Sequence, residues 1–129
     1  DYQQYIIIKK MVQDLNIKTK IVGCPIVREA NGLAKSSRNI YLSPEYREKA
    51  SNIFKILMQA KKDFLLKKNI KFIITNIKKS LGKIDTAVVD YVEIRDCNTL
   101  EKATQKTNHV VIAVAVKIQN VRLIDNIVC

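Results

Sequence analysis

Lys35-Ser36-Ser37-Arg38 is the densest cluster of phosphate-binding groups in the sequence. An ammonium, two hydroxyls and a guanidinium stand side by side. Arg38 can grip a phosphate with a planar fork, and Lys35 adds a mobile point charge. The serine hydroxyls and the loop N–H groups can complete a cradle. A basic serine loop is more often an ordinary solvated turn, so the pattern needs support from elsewhere. A second group is Asp1, Gln3 and Gln4. An acid opening a helix complements the macrodipole, and surface glutamines are usually solvated. Gln4 could instead point into a cleft at the carboxyl end of a sheet, where open α/β folds bind ligands. No P-loop and no GxGxxG pattern occurs.

Other chemistry is scarce. His109 is the only histidine and adjoins an apolar run, so it reads as a strand-end residue, and no Ser-His-Asp arrangement can be built. Cys24, Cys97 and Cys129 are widely spaced, with no CxxC. Zinc needs about four clustered ligands, so no metal site is expected. The odd count points to reduced thiols in a cytoplasmic protein, with Cys24 and Cys97 as small buried hydrophobes.

The elements that must position these groups follow from periodicity. Asp1 to Asn16 reads as a helix, with Tyr5, Ile8, Met11, Val12 and Leu15 at helical spacing and Ile6 and Ile7 widening the apolar face toward burial. Lys20 to Val27 reads as a short strand ending near Pro25. A helix followed by an apolar strand suits the last step of a parallel sheet. Arg28 to Ser43 is a polar loop with an Asn31-Gly32 turn signal. Ser43-Pro44-Glu45 starts a helix, with Ser43 as cap. That helix runs to about Asn69 and buries Ala50, Ile53, Phe54, Leu57, Met58 and Leu65. A second, Phe72 to Leu81, stops at Gly82. Three strands follow, Thr86–Asp96, Val110–Ile118 and Val121–Ile127, the middle one a central strand because its run is almost wholly apolar.

The fold class expected is α/β: residues 1–42 as the tail of a larger sheet domain, and residues 43–129 as a small α+β domain of two helices and three strands. With 47% apolar residues in 129 the chain can bury a core, and no apolar run is long enough to span a bilayer. The net charge of +11 is concentrated: Arg47 to Lys83 holds eleven basic and two acidic residues, a local +9. Such a block could bind nucleic acid. It is nearly all lysine, and Phe54, Phe64 and Phe72 fall on the apolar periodicity, so a solvated helix surface is the preferred reading.

Read together, four stretches resemble the pantothenate synthetase (pantoate–β-alanine ligase) family: Asp1-Tyr2-Gln3-Gln4, IVREANGLAKSSRNIYLSPEYR from Ile26 to Arg47, DYVEIRD from Asp90 to Asp96, and AVAVKIQNVRLIDNI from Ala113 to Ile127. They occur in family order and span nearly the whole chain. The resemblance implies a Rossmann-like nucleotidyltransferase-superfamily domain ending within residues 1–42, followed by a C-terminal lid over residues 43–129. It implies ATP-dependent condensation of pantoate with β-alanine through a pantoyl-adenylate, with Mg²⁺ on the phosphates and a cytoplasmic homodimer. Ser36, Ser37 and Arg38 would hold the triphosphate and carry catalysis, with Lys35 beside them. The Val27 backbone would meet adenine, Asp1 would line the nucleotide site, and Gln4 would bind pantoate.

Some positions depart from the family pattern: Asn31 replaces Asp, Lys35 replaces Met, and Gln119 replaces Gly. No counterpart of the family's HIGH-like histidine motif is present. The chain therefore reads as a C-terminal half, expected to be inactive alone. The alternative readings are a basic nucleic-acid-binding module using residues 47–83, and a folded piece without binding activity.

Overall fold

The computed structural model describes all 129 residues. Asp1 caps helix α1 (Tyr2–Asp14), its carboxylate accepting from the N–H groups of Gln3 and Gln4. The helix falls where its periodicity puts it, but no residue of α1 is buried, and Ile7, Met11 and Leu15 are exposed. This corrects the expectation of a well-buried helix: no other layer of the chain lies on that apolar stripe. Lys20–Val27 also departs from expectation. The segment has no regular secondary structure and joins no ladder, its one backbone bond being that of the Val27 carbonyl with the Lys35 N–H, so it is no strand. A strand is defined by a partner's hydrogen bonds, and apolar content alone cannot provide one. Cys24, on this segment, is exposed rather than buried.

A 3-10 turn (Ser37–Tyr41) leads to α2 (Pro44–Ala50), α3 (Asn52–Leu65) and α4 (Ile70–Leu81). The single long helix expected after Ser43 is split in two, so the second half of the chain has three helices. The break is Ser51, whose N–H and Oγ both bond the Glu48 carbonyl, at 3.1 and 2.7 Å. Such local back-bonding diverts a carbonyl from the regular ladder. Ser43 stands at the cap position of α2, yet its side chain caps nothing. Asn69 does cap α4, accepting from the Lys71 N–H. The buried stripe of α3 is Ile53, Leu57, Ala60 and Phe64, whereas Met58 and Leu65 are exposed. Phe72 is also exposed, with the Lys68 ammonium 5.4 Å from its ring centre.

The three strands β1 (Val88–Asp96), β2 (Val110–Ile118) and β3 (Val121–Val128) form an antiparallel sheet in the order β1-β2-β3. The apolar run of β2 makes it central, as expected. Val110, Ile112, Val114, Val116 and Ile118 alternate onto one face and meet Leu57, Ile73, Ile77 and Leu81 of the helices. Gln119 and Asn120 turn β2 into β3, both at positive φ (48° and 64°). This is the two-residue turn whose twist suits a hairpin, so the departure at Gln119 leaves the tight bend in place. Tyr2 ties α1 to the sheet end, its hydroxyl donating to the Cys97 carbonyl at 3.2 Å. No helix is long and apolar enough to cross a membrane.

Candidate active site

The polar loop is built on a small hairpin. Arg28 pairs with Ala34 as an isolated antiparallel bridge, and the Glu29 N–H donates to the Leu33 carbonyl at 2.8 Å. Asn31-Gly32 makes the turn. Gly32 has φ +96°, and a Cβ there would stand 2.8 Å from the Phe54 ring, so glycine is required for both backbone and space. Asn31 keeps the turn, as expected: its Oδ1 accepts from the Leu33 N–H, and its Nδ2 donates to Glu48, which an aspartate could not do.

The chain then enters Lys35-Ser36-Ser37-Arg38. The Lys35 N–H donates to the Val27 carbonyl at 2.9 Å. Ser36 caps the 3-10 turn by accepting from the Arg38 N–H at 3.2 Å. Asn39 anchors the loop from behind. It is 1% exposed, and its Nδ2 donates to Glu29 Oε1 and the Ala34 carbonyl, each at 3.1 Å. Two acceptors on one side fix the orientation of this amide, which leaves Oδ1 buried and unpartnered. Arg47 of α2 reaches the same Glu29 oxygen at 3.2 Å. Lys35 and Arg38 are both exposed and make no ion pair, so their donors are free for an anion.

A cavity of about 200 Å³ brings Asp1, Lys35, Ser36 and Arg38 together with Asn39 and residues 122–126 of β3. A second, of about 680 Å³, contains Gln4 and shares Asp1 and Asn126 with the first. Asp1 therefore stands where the two meet. Ser37 faces an open groove with Lys35, Ser36 and Arg47 instead. Val27 is exposed, and its carbonyl already serves Lys35. The donor set of the cleft is cationic and hydroxylic, which suits phosphate oxygens. No group of three His, Cys, Asp or Glu residues could hold a metal by itself. A magnesium ion at this cleft would depend on ligand phosphates for its coordination.

Sequence reasoning missed the ion pair between the two cavities, Asp125 lining the smaller and Arg28 the larger. Arg28 makes two bonds to Asp125, 2.7 and 2.9 Å long, and a third to the Gly32 carbonyl at 3.1 Å. Its guanidinium lies 3.8 Å from the centre of the Phe54 ring. The side chains of Arg28 and Asp125 are 18% and 4% exposed. The signal was an acid at an apolar register: Asp125 pairs with Val114 between Leu123 and Ile127, on the core face of β3. A carboxylate there requires a cation.

A basic, serine-lined cleft between a polar hairpin and the edge of an antiparallel sheet backed by helices defines an α+β protein whose cleft chemistry suits an anionic ligand. The chain belongs to the pantoate-beta-alanine ligase family, whose model matches residues 1–128. It is 47% identical to the pantothenate synthetase of Acetivibrio thermocellus, over 99% of this chain and 46% of that protein. Against the pantothenate synthetase of Clostridioides difficile it is 48% identical, over 98% and 45%. A crystal structure of pantothenate synthetase from Thermus thermophilus superimposes with a TM-score of 0.89 at 34% identity, over 98% of this chain and 46% of that one. The chain thus spans about half the length of the relatives it matches.

Proposed function

We propose that these residues form the part of a pantoate–β-alanine ligase that holds the ATP phosphates and one side of the pantoate site. The observation that carries this reading is the gathering of Asp1, Lys35, Ser36 and Arg38 around one cleft, with Gln4 in the adjoining cavity. Residues 1–42 are the end of the Rossmann-like domain and residues 43–129 its lid. In the reaction, the pantoate carboxylate attacks the α-phosphorus of ATP, forming a carboxyl–phosphate bond and releasing pyrophosphate. The amine of β-alanine then attacks the acyl carbon, and AMP leaves. Arg38 and Lys35 stabilise charge growing on the phosphate oxygens, and the Ser36 and Ser37 hydroxyls orient them. The Gln4 carboxamide both donates to and accepts from pantoate hydroxyls. Mg²⁺, held through the ATP phosphates beside Lys35 and Arg38, would supply charge neutralisation when bound. The sheet and its helices exclude water from the acyl-phosphate. The enzyme so composed is a cytoplasmic homodimer.

The test is AMP release by the family-length enzyme carrying these residues, with pantoate, β-alanine and Mg·ATP, each omitted in turn. Release that requires pantoate and yields pantothenate only with β-alanine supports the reading. No release under any condition overturns it. The 129-residue chain alone is expected to show no turnover. The basic face at residues 47–83 offers less: Phe54 lies under Arg28, Phe64 is buried, and Phe72 already carries Lys68, so no bare aromatic platform is left for bases.

A further inference from the structure

We propose that the Arg28–Asp125 pair is a latch that seats the Lys35–Arg38 loop on the edge of β3, which makes both residues positioning residues for the phosphate-binding groups. The inference rests on the reading of that loop as the triphosphate site.

Three observations carry it. The pair is the only hydrogen-bonded connection between residues 26–42 and β3. The remaining ties of the hairpin, Asn31 to Glu48 and Glu29 to Arg47, lead to α2. The loop is hung on the latch itself: the Lys35 N–H bonds the carbonyl of Val27, next to Arg28, and Ala34 bridges to Arg28 directly. Finally, Arg28 is locked on every side, by both oxygens of Asp125, by the Gly32 carbonyl and by the Phe54 ring. An apolar residue at position 125 would fit its core-face register without the desolvation that a buried carboxylate incurs. The pair is therefore a poor choice for stability alone and a good one for fixed geometry, since a two-bond fork admits one orientation.

The experiment separates these roles with the double variant Arg28→Met/Asp125→Leu, which removes both charges and keeps the volume. Two readouts are taken on the family-length enzyme carrying these residues: Mg·ATP affinity by calorimetry, and amide hydrogen exchange at residues 35–42 without ligand. The latch predicts a double variant that melts within a few degrees of the parent, binds Mg·ATP at least tenfold more weakly, and exchanges faster at residues 35–42. Unchanged affinity and unchanged exchange would overturn it. If the parent family-length enzyme itself binds no Mg·ATP, the ligase reading fails at that point, and the exchange data alone decide the latch. Should the double variant not fold, Arg28→Lys, which keeps the charge and loses the fork, is judged by the same two readouts.

Discussion

Arg38 is exposed and its guanidinium touches no acceptor in the chain, so the fold does not depend on it. Arg38→Ala should leave the melting temperature unchanged and weaken Mg·ATP binding by tenfold or more, because a charge-assisted bond is worth roughly 1.5–3 kcal/mol. Calorimetry beside a thermal melt checks both halves, and a large fall in melting temperature would contradict the free state of the side chain. The thiols divide as sharply. Cys24 is exposed, while burial raises the pKa of Cys97 and pushes that of Cys129 up to about 11. Near pH 8 a thiol reagent should therefore modify one cysteine promptly, identified as Cys24 by mass spectrometry. The same shift makes a statement about stability. The native thiol at 129 holds its proton above the pH at which the unfolded one loses it. Stability from this group is full below pH 9.0 and falls as the pH rises toward 11. Urea midpoints at pH 8 and pH 10.5 should differ in that direction, and Cys129→Ser should reduce the difference.

At the level of elements, the β2–β3 hairpin stores strain that one substitution can release. Gln119 sits at φ 48°, which costs an L residue roughly 1–2 kcal/mol per position. Against this, its Oε1 accepts from the exposed Ser43 N–H at 3.3 Å, a bond that water can replace. A glycine also gains freedom in the unfolded chain, about 0.4–1 kcal/mol. The balance favours Gln119→Gly by about 0.5 kcal/mol, read from a urea midpoint, and a lower midpoint would mean that the bond to Ser43 outweighs the strain. The three strands, their order with β2 central, and α4 were legible because long apolar periodicity and turn chemistry agree there. The break at Ser51 was not, because one hydroxyl bonding Glu48 leaves no mark on periodicity. Lys20–Val27 was misread for a related reason: its Ile21 and Val22 have strand character, but a strand also needs a neighbour. The loop 35–38 was visible by residue type, whereas Arg28 and Asp125, 97 positions apart, meet only through the hairpin and the sheet register.

For the molecule as a whole, burial is distributed unevenly, and amide exchange should report it. The core joins β2 to α3 and α4, and every inward residue of β2 is essentially inaccessible. Helix α1 buries no residue, and residues 17–27 form no secondary structure. Local opening costs the least where few apolar contacts are lost. Amides of Tyr5–Asp14 should thus exchange through local opening, orders of magnitude faster than those of Ile112–Val116, which open only with global unfolding. The stripe Ile7, Met11 and Leu15 makes a further outcome testable. Relatives of this chain are about twice its length, and an amphipathic helix gains most of its stability from the layer its apolar face meets. In the family-length enzyme the same α1 amides should become protected to the level of the sheet. If they remain fast there, the stripe has no covering layer, and α1 serves only to present Asp1 and Gln4 at the mouth of the cleft.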